Sequence, residues 1–158
     1  MKNIKILDAS DPASEKDIGV LETALGRKIP GSLRMLLLRS DGGILDAENC
    51  VTFAKLPSGE EMRLEVQRFY SVAMILEALR DYEGRVPSNL LPIANNLSGD
   101  LFCLSLDERN PRIYFWDHED EEEAYIMLDK IPAPGHANLY PVAPNLETFV
   151  DTLALDDS

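Results

Sequence analysis

Leu101-Phe102-Cys103-Leu104-Ser105-Leu106 and Arg112-Ile113-Tyr114-Phe115-Trp116, joined by Asp107-Glu108-Arg109-Asn110-Pro111, form the stretch whose reading decides the fold. The first run is nearly all apolar, so it is expected to be central in a sheet. The second is rich in β-branched and aromatic residues, which suit a pleated surface. The short polar connection suits a hairpin loop.

The period changes on moving upstream. Ser71 to Tyr82 has helical spacing, with Ile75 and Leu79 at i and i+4 and Met74 beside them; Gly84 and Pro87 close it. Glu61 to Gln67 alternates, with Met62, Leu64 and Val66 on one side and Arg63, Glu65 and Gln67 on the other, as in a half-buried strand. Cys50 to Phe53 is a shorter β-prone run, and Pro57-Ser58-Gly59 between these two is turn chemistry. Nearer the start, Ser14 fits an N-cap, with Asp17 in the position of a capping-box acid. Ile18, Leu21 and Leu25 follow at helical spacing until Gly26 stops the helix. Pro30 suits a first helical residue, and Leu33, Leu36 and Leu37 form the next stripe, ended by Ser40-Asp41-Gly42-Gly43. These two helices are expected to pack as a hairpin, with residues 1–13 a lead-in.

Downstream of Trp116 the chain turns acidic. Ile126 to Ile131 suits a further strand or turn, while Pro132 to Gly135 and Pro141 to Pro144 read as irregular. Asn145 fits the cap of a last helix, with Leu146, Phe149, Val150 and Leu153 on one face. Ala154 to Ser158 reads as a polar tail. The expected architecture is α+β: an N-terminal helix pair, a mostly antiparallel sheet, one middle helix and one C-terminal helix. The 158 residues fit a single domain, residues 1–158, with its core at 14–153.

Hydrophobic residues make up 45% and charged residues 27%, the balance of a folded protein. No apolar run is long enough for a membrane helix. The start, Met1 to Asp11, has no basic segment followed by an apolar block, so no secretory signal and a cytoplasmic location are expected. Cys50 and Cys103 sit in apolar surroundings, as reduced, buried thiols do.

Charge is unevenly placed. The net charge is −13, from 15 Lys+Arg and 28 Asp+Glu. Met1 to Arg112 holds 17 acidic and 14 basic residues, net −3; Ile113 to Ser158 holds 11 acidic residues and one basic, Lys130, net −10. Such a field disfavours nucleic-acid backbones and anionic membranes and attracts a basic partner. Solubility alone is the simpler explanation of general acidity.

Motifs for catalysis are scarce. His136 lies in a Pro/Gly loop with no sequence partner. His118 stands between Asp117 and Glu119, whose charge favours its protonated form. A metal site would need several ligands converging from separate segments. An oxygen-rich Ca²⁺ set around Asp117, Asp120 and Glu122 lacks the EF-hand glycine and ligand ladder, so no metal or cofactor is expected. Gly42-Gly43 has neither the preceding strand nor the Lys-Ser/Thr of a phosphate loop, and Ser98 sits in no Gly-x-Ser-x-Gly elbow. Cys103 within an apolar strand reads as inert. Paired carboxylates for hydrolysis remain open, although no pair stands out. The distinctive feature is Asp117 to Glu123, six acids and one histidine in seven residues, directly after Tyr114-Phe115-Trp116. Charge so dense stays solvated or meets cations. It fits either a solvated loop without a partner or an interaction face. In the second case Tyr114 and Trp116 are aromatic anchors, and Asp117, His118, Glu119, Asp120, Glu121, Glu122 and Glu123 are contacts for Lys/Arg.

Several blocks resemble a known family. Leu25-Gly26-Arg27-Lys28-Ile29-Pro30 and Leu36-Leu37-Leu38-Arg39-Ser40-Asp41-Gly42-Gly43 resemble the N-terminal helix pair of the SUKH superfamily, the Smi/Knr-type domain. Leu90-Leu91-Pro92-Ile93-Ala94 with Gly99-Asp100-Leu101-Phe102-Cys103-Leu104-Ser105 is similar to its central strand region, and Ile113 to Glu119 to its Trp-containing strand. The blocks occur in the family's order, over residues 14 to 153. The resemblance implies an α+β fold and a non-catalytic role. Many bacterial members are immunity proteins against polymorphic or contact-dependent toxins, often nucleases; fungal relatives bind signalling proteins. The expected function is therefore neutralisation of a cognate, basic toxin by protein contact. A regulatory adaptor without a toxin, and a carboxylate-dependent hydrolase, are the alternatives. The acids after Glu119 lie outside the motif.

Overall fold

The computed structural model describes residues 6–9, 11–117 and 139–154. Along the chain run β1 (Ile6–Ala9), α1 (Glu15–Leu25), α2 (Gly31–Arg39), β2 (Gly43–Leu45), β3 (Val51–Lys55), β4 (Glu61–Glu65) and β5 (Arg68–Phe69). Next come α3 (Val72–Asp81), β6 (Leu90–Asn95), β7 (Leu101–Ser105), β8 (Ile113–Trp116), β9 (Leu139–Ala143) and α4 (Leu146–Ala154). The fold is α+β.

Local chemistry sets the helix ends. Asp17 N–H donates to Ser14 Oγ (3.1 Å), and Ser14 N–H donates back to Asp17 Oδ2 (3.0 Å), a complete capping box. The bond from Ser14, foremost, holds the Asp17 carboxyl below its ordinary value. Gly26 ends α1 in the left-handed region, φ 70°. Thr148 N–H donates to Asn145 Oδ1 (2.8 Å), so Asn145 caps α4. Pro30 is the cap of α2 rather than its first residue.

The Ser40-Asp41-Gly42 turn joins elements distant in sequence. Met74 N–H donates to Ser71 Oγ (3.1 Å) and Val72 N–H to Asp41 Oδ1 (2.8 Å), so two side chains cap α3. Gly42, at φ 79°, passes so close to Phe69–Ser71 that a Cβ there would lie 2.5 Å from the Ser71 nitrogen. Its hydrogen is therefore a packing requirement, beyond its place at a helix end.

The main sheet has seven strands in the order β1-β2-β5-β6-β7-β8-β9, every neighbouring pair antiparallel. β7 and β8 pair as Leu101–Trp116, Phe102–Phe115, Cys103–Tyr114 and Leu104–Ile113. Trp116 meets Tyr82 at the end of α3, ring centroids 5.4 Å apart, while Phe102 meets Phe149 of α4 at 5.5 Å. Neighbouring side chains point to opposite faces, so α3 and α4 cover opposite faces of the sheet. All residues of β7 and β8 are therefore buried, without the alternation of a one-sided sheet.

Several expectations change. The lead-in contains β1, paired with β2 at the sheet edge. The two N-terminal helices are bridged by Arg34 and Glu15 and share one core; beyond the expected pairing, α1 also lies on α3, and α2 on α4. Gly43 opens a strand rather than only ending a helix. Pro141 lies within β9, opposite Tyr114; β9 is the last strand of the order, where a missing N–H costs no inner ladder bond. The two expected strands around Pro57-Ser58-Gly59 do pair, as β3 and β4, but as a separate two-stranded sheet. The expected strand or turn at Ile126–Ile131, the segment Pro132–Gly135, His136 and residues 155–158 of the polar tail lie outside the described residues.

Candidate partner-binding groove

A groove of about 350 Å³ opens between the small β3–β4 sheet and one end of the large sheet. One wall is β4, contributing Met62, Arg63, Leu64 and Glu65; the other is the β6–β7 turn, Asn96 to Asp100. Phe115 and Asp117, at the end of β8, complete it.

The turn is built by one side chain. Asn96 Oδ1 accepts from Ser98 N–H (3.0 Å) and Asp100 N–H (2.9 Å), and Asn96 Nδ2 donates to Asp100 Oδ2 (3.1 Å). Gly99 takes φ 90°, and Leu97 is left at the tip, 71% exposed. A single exposed leucine is ordinary on a protein surface; what sets Leu97 apart is its place on the wall of the groove. On the outer face of the small sheet, Phe53 stands opposite Arg63 and is 45% exposed, and Arg63 Nη1 donates to Glu65 Oε1 (3.0 Å).

The candidate residues from the sequence separate into two groups. Tyr114 and Trp116 are core residues, 2% and 1% exposed, so in this structure neither offers its ring to a partner. Trp116 is sealed by Tyr82 and by the Arg85 guanidinium, 5.9 Å from its ring centre and 4.9 Å from that of Tyr82. Their packing fixes the strand from which the acidic run departs. Asp117 lines the groove. His118, Glu119, Asp120, Glu121, Glu122 and Glu123 lie outside the described residues. Sequence reading passed over Leu97 and Phe53. The available signal was an apolar residue within turn chemistry, Asn96-Leu97-Ser98-Gly99.

Glu65, Asp100 and Asp117 contribute carboxylates to the groove and Arg63 a guanidinium. The Cys103 thiol lies elsewhere, wholly buried, and burial pushes it far above its usual value, leaving it a poor nucleophile. Among the described residues no three His, Cys, Asp or Glu side chains converge as a metal set. Nor is any helix among them long and apolar enough to cross a membrane.

The model of the SMI1 / KNR4 family (SUKH-1) matches residues 12–152. The chain belongs to this family. The match runs from just before α1 into α4, so it takes in both walls of the groove. The chain is also similar to the SPbeta prophage-derived uncharacterized protein YokK of Bacillus subtilis (strain 168), 28% identical over 116 residues. That alignment covers 63% of this chain and 59% of the relative, less than two thirds of the relative's length.

Proposed function

We propose that this protein is a non-catalytic immunity protein that binds and neutralises a cognate bacterial toxin by direct contact. Membership of the SMI1 / KNR4 family (SUKH-1) is the observation that carries the reading, because many bacterial members of the superfamily are immunity proteins. Charge supports a basic partner: residues 113–158 carry net −10, and the first acid of the dense run, Asp117, stands in the groove. A nuclease that grips a phosphate backbone presents Lys and Arg. An acidic inhibitor competes with that backbone and associates quickly by electrostatic steering. Asp117, His118, Glu119, Asp120, Glu121, Glu122 and Glu123 form the steering segment, and the action takes place in the cytoplasm, where a delivered toxin would meet its target. Tyr114 and Trp116 serve this face by anchoring β8.

Co-expression tests the reading. Cells expressing the product of the gene immediately upstream should be killed without this protein and survive with it, and the two purified proteins should form a complex. A chain that neither binds nor protects against the neighbouring product overturns it. Replacing Glu121, Glu122 and Glu123 together by Lys should leave folding intact, slow association and flatten its salt dependence. Unchanged association at low salt would remove the acidic segment from the interface.

A further inference from the structure

Among the described residues, β4 pairs with β3 alone, so its other edge has no strand beside it. Backbone bonds at both ends of the ribbon set the phase of that edge. Val66 N–H donates to the Cys50 carbonyl (2.9 Å), and Leu56 N–H to the Glu60 carbonyl (2.8 Å). Bonded and non-bonded residue pairs alternate along an antiparallel ladder. Thr52–Leu64 and Ala54–Met62 therefore fall on bonded positions, and Val51–Glu65, Phe53–Arg63 and Lys55–Glu61 on non-bonded ones. The N–H and C=O groups of Glu61, Arg63 and Glu65 consequently point away from β3.

The groove lies on that side. Successive strand side chains point to opposite faces, so a groove lined by four consecutive residues, Met62 to Glu65, follows the strand's edge rather than one of its faces. Leu97 projects from its far wall. Among the lining residues Glu65, Asp100 and Asp117 are set against Arg63, which already pairs with Glu65. Among the described residues this edge has no strand on it; it is flanked by one exposed apolar side chain and is negative in balance.

We propose that β4 takes up one extended segment of the partner protein as an added strand, and that this segment carries a lysine or arginine beside an apolar residue. Its backbone bonds the outward N–H and C=O of Arg63 and Glu65, its apolar side chain covers Leu97, and its cation sits against Glu65 and Asp117. Main-chain bonding supplies affinity and the alternate side chains supply selectivity. The charges on β4 bar a purely apolar strand, as edge charges commonly do, while the acidic balance admits a cationic one. The source of the segment, a toxin, rests on the function proposed above; the edge itself does not.

The test presents the full chain to displayed random dodecapeptides and follows enriched peptides by NMR hydrogen exchange. Enriched sequences should alternate apolar residues with Lys or Arg and protect the Arg63 and Glu65 amides. Arg63→Pro, which removes an outward N–H but no β3–β4 ladder bond, should lose roughly tenfold in affinity. Leu97→Ser should lose several-fold, and Met35→Ser, on the exposed face of α2, nothing. If Arg63→Pro fails to fold by circular dichroism, Leu97→Ser decides, because it alters only a turn tip. No enrichment, protection confined to other amides, or undiminished binding by the folded variants overturns the proposal. If the neighbouring gene product binds but protects no β4 amide, the edge proposal fails and the immunity reading stands. If peptides add to β4 and the neighbouring product does not bind, the immunity reading fails and the edge stands.

Discussion

β7–β8 and β3–β4 are both antiparallel hairpins closed by short polar turns, yet they meet different surroundings. β7 lies between β6 and β8, with α3 over one face and α4 over the other, and all its residues are buried. β3–β4 has one face toward the core, through Ala54 and Leu64, and one toward solvent, through Phe53, Lys55 and Arg63; among the described residues no strand pairs with its outer edge. Elements buried on both faces gain the most from apolar contact and have little surface left for anything else. A ribbon half in water contributes less to stability and keeps its outer surface for recognition. Stability and binding should therefore separate between the two hairpins under mutation.

The largest effect is expected at Trp116. Trp116→Ala empties a fully buried site under Tyr82 and Arg85 and should cost about 3–5 kcal/mol, read as a lower urea midpoint. A variant that unfolds at the parent's midpoint would break the contrast. Gly42→Ala comes next, at about 2–3 kcal/mol, because φ 79° is strained for alanine and its Cβ would press on the Ser71 nitrogen. Differential scanning calorimetry should show the lower midpoint, and an unchanged one would mean that the turn shifts freely.

A smaller effect is expected from pH. Burial pushes the Tyr70 phenol above its ordinary 10.0, partly offset by the hydrogen bond from Asn95. A raised pKa favours the protonated, folded form. The contribution is present below pH 10.0 and is lost as pH rises through the folded value. Tyr70→Phe should therefore lessen the fall in stability above pH 10.0 and leave the acid limb as it is. Identical alkaline limbs in parent and variant would contradict this. The smallest stability change belongs to the ribbon. Phe53→Ser, at a residue 45% exposed, should stay within about 0.5 kcal/mol of the parent in urea, while weakening any complex that uses this face. A large loss of stability would show that the ribbon is core after all.

Much was legible in the sequence because much is local. Ser14 with Asp17, Gly26 and Asn145 act across a few residues, so their type and spacing suffice to read those helix ends, whereas the start of α3 also takes a cap from the distant Asp41. The period of Leu146, Phe149, Val150 and Leu153 likewise describes one buried face. The candidate site was legible only in part. Asp117 lies in the groove, but Tyr114 and Trp116, expected as anchors for a partner, are core residues here. An aromatic residue before a charge run looks the same in sequence whether its ring faces water or α3.

By itself the sequence determined the fold class, the locally capped ends of α1 and α4, the β7–β8 hairpin and the concentration of negative charge after Trp116, since these depend on composition and on contacts close along the chain. The tertiary structure alone decided that β3–β4 stands apart from the main sheet, that Pro141 lies in an edge strand, and that Leu97, Glu65 and Asp117 line one groove. Strand partnership and exposure depend on which distant segments arrive beside a residue. That choice is made by burial over the whole chain rather than by any one stretch of it.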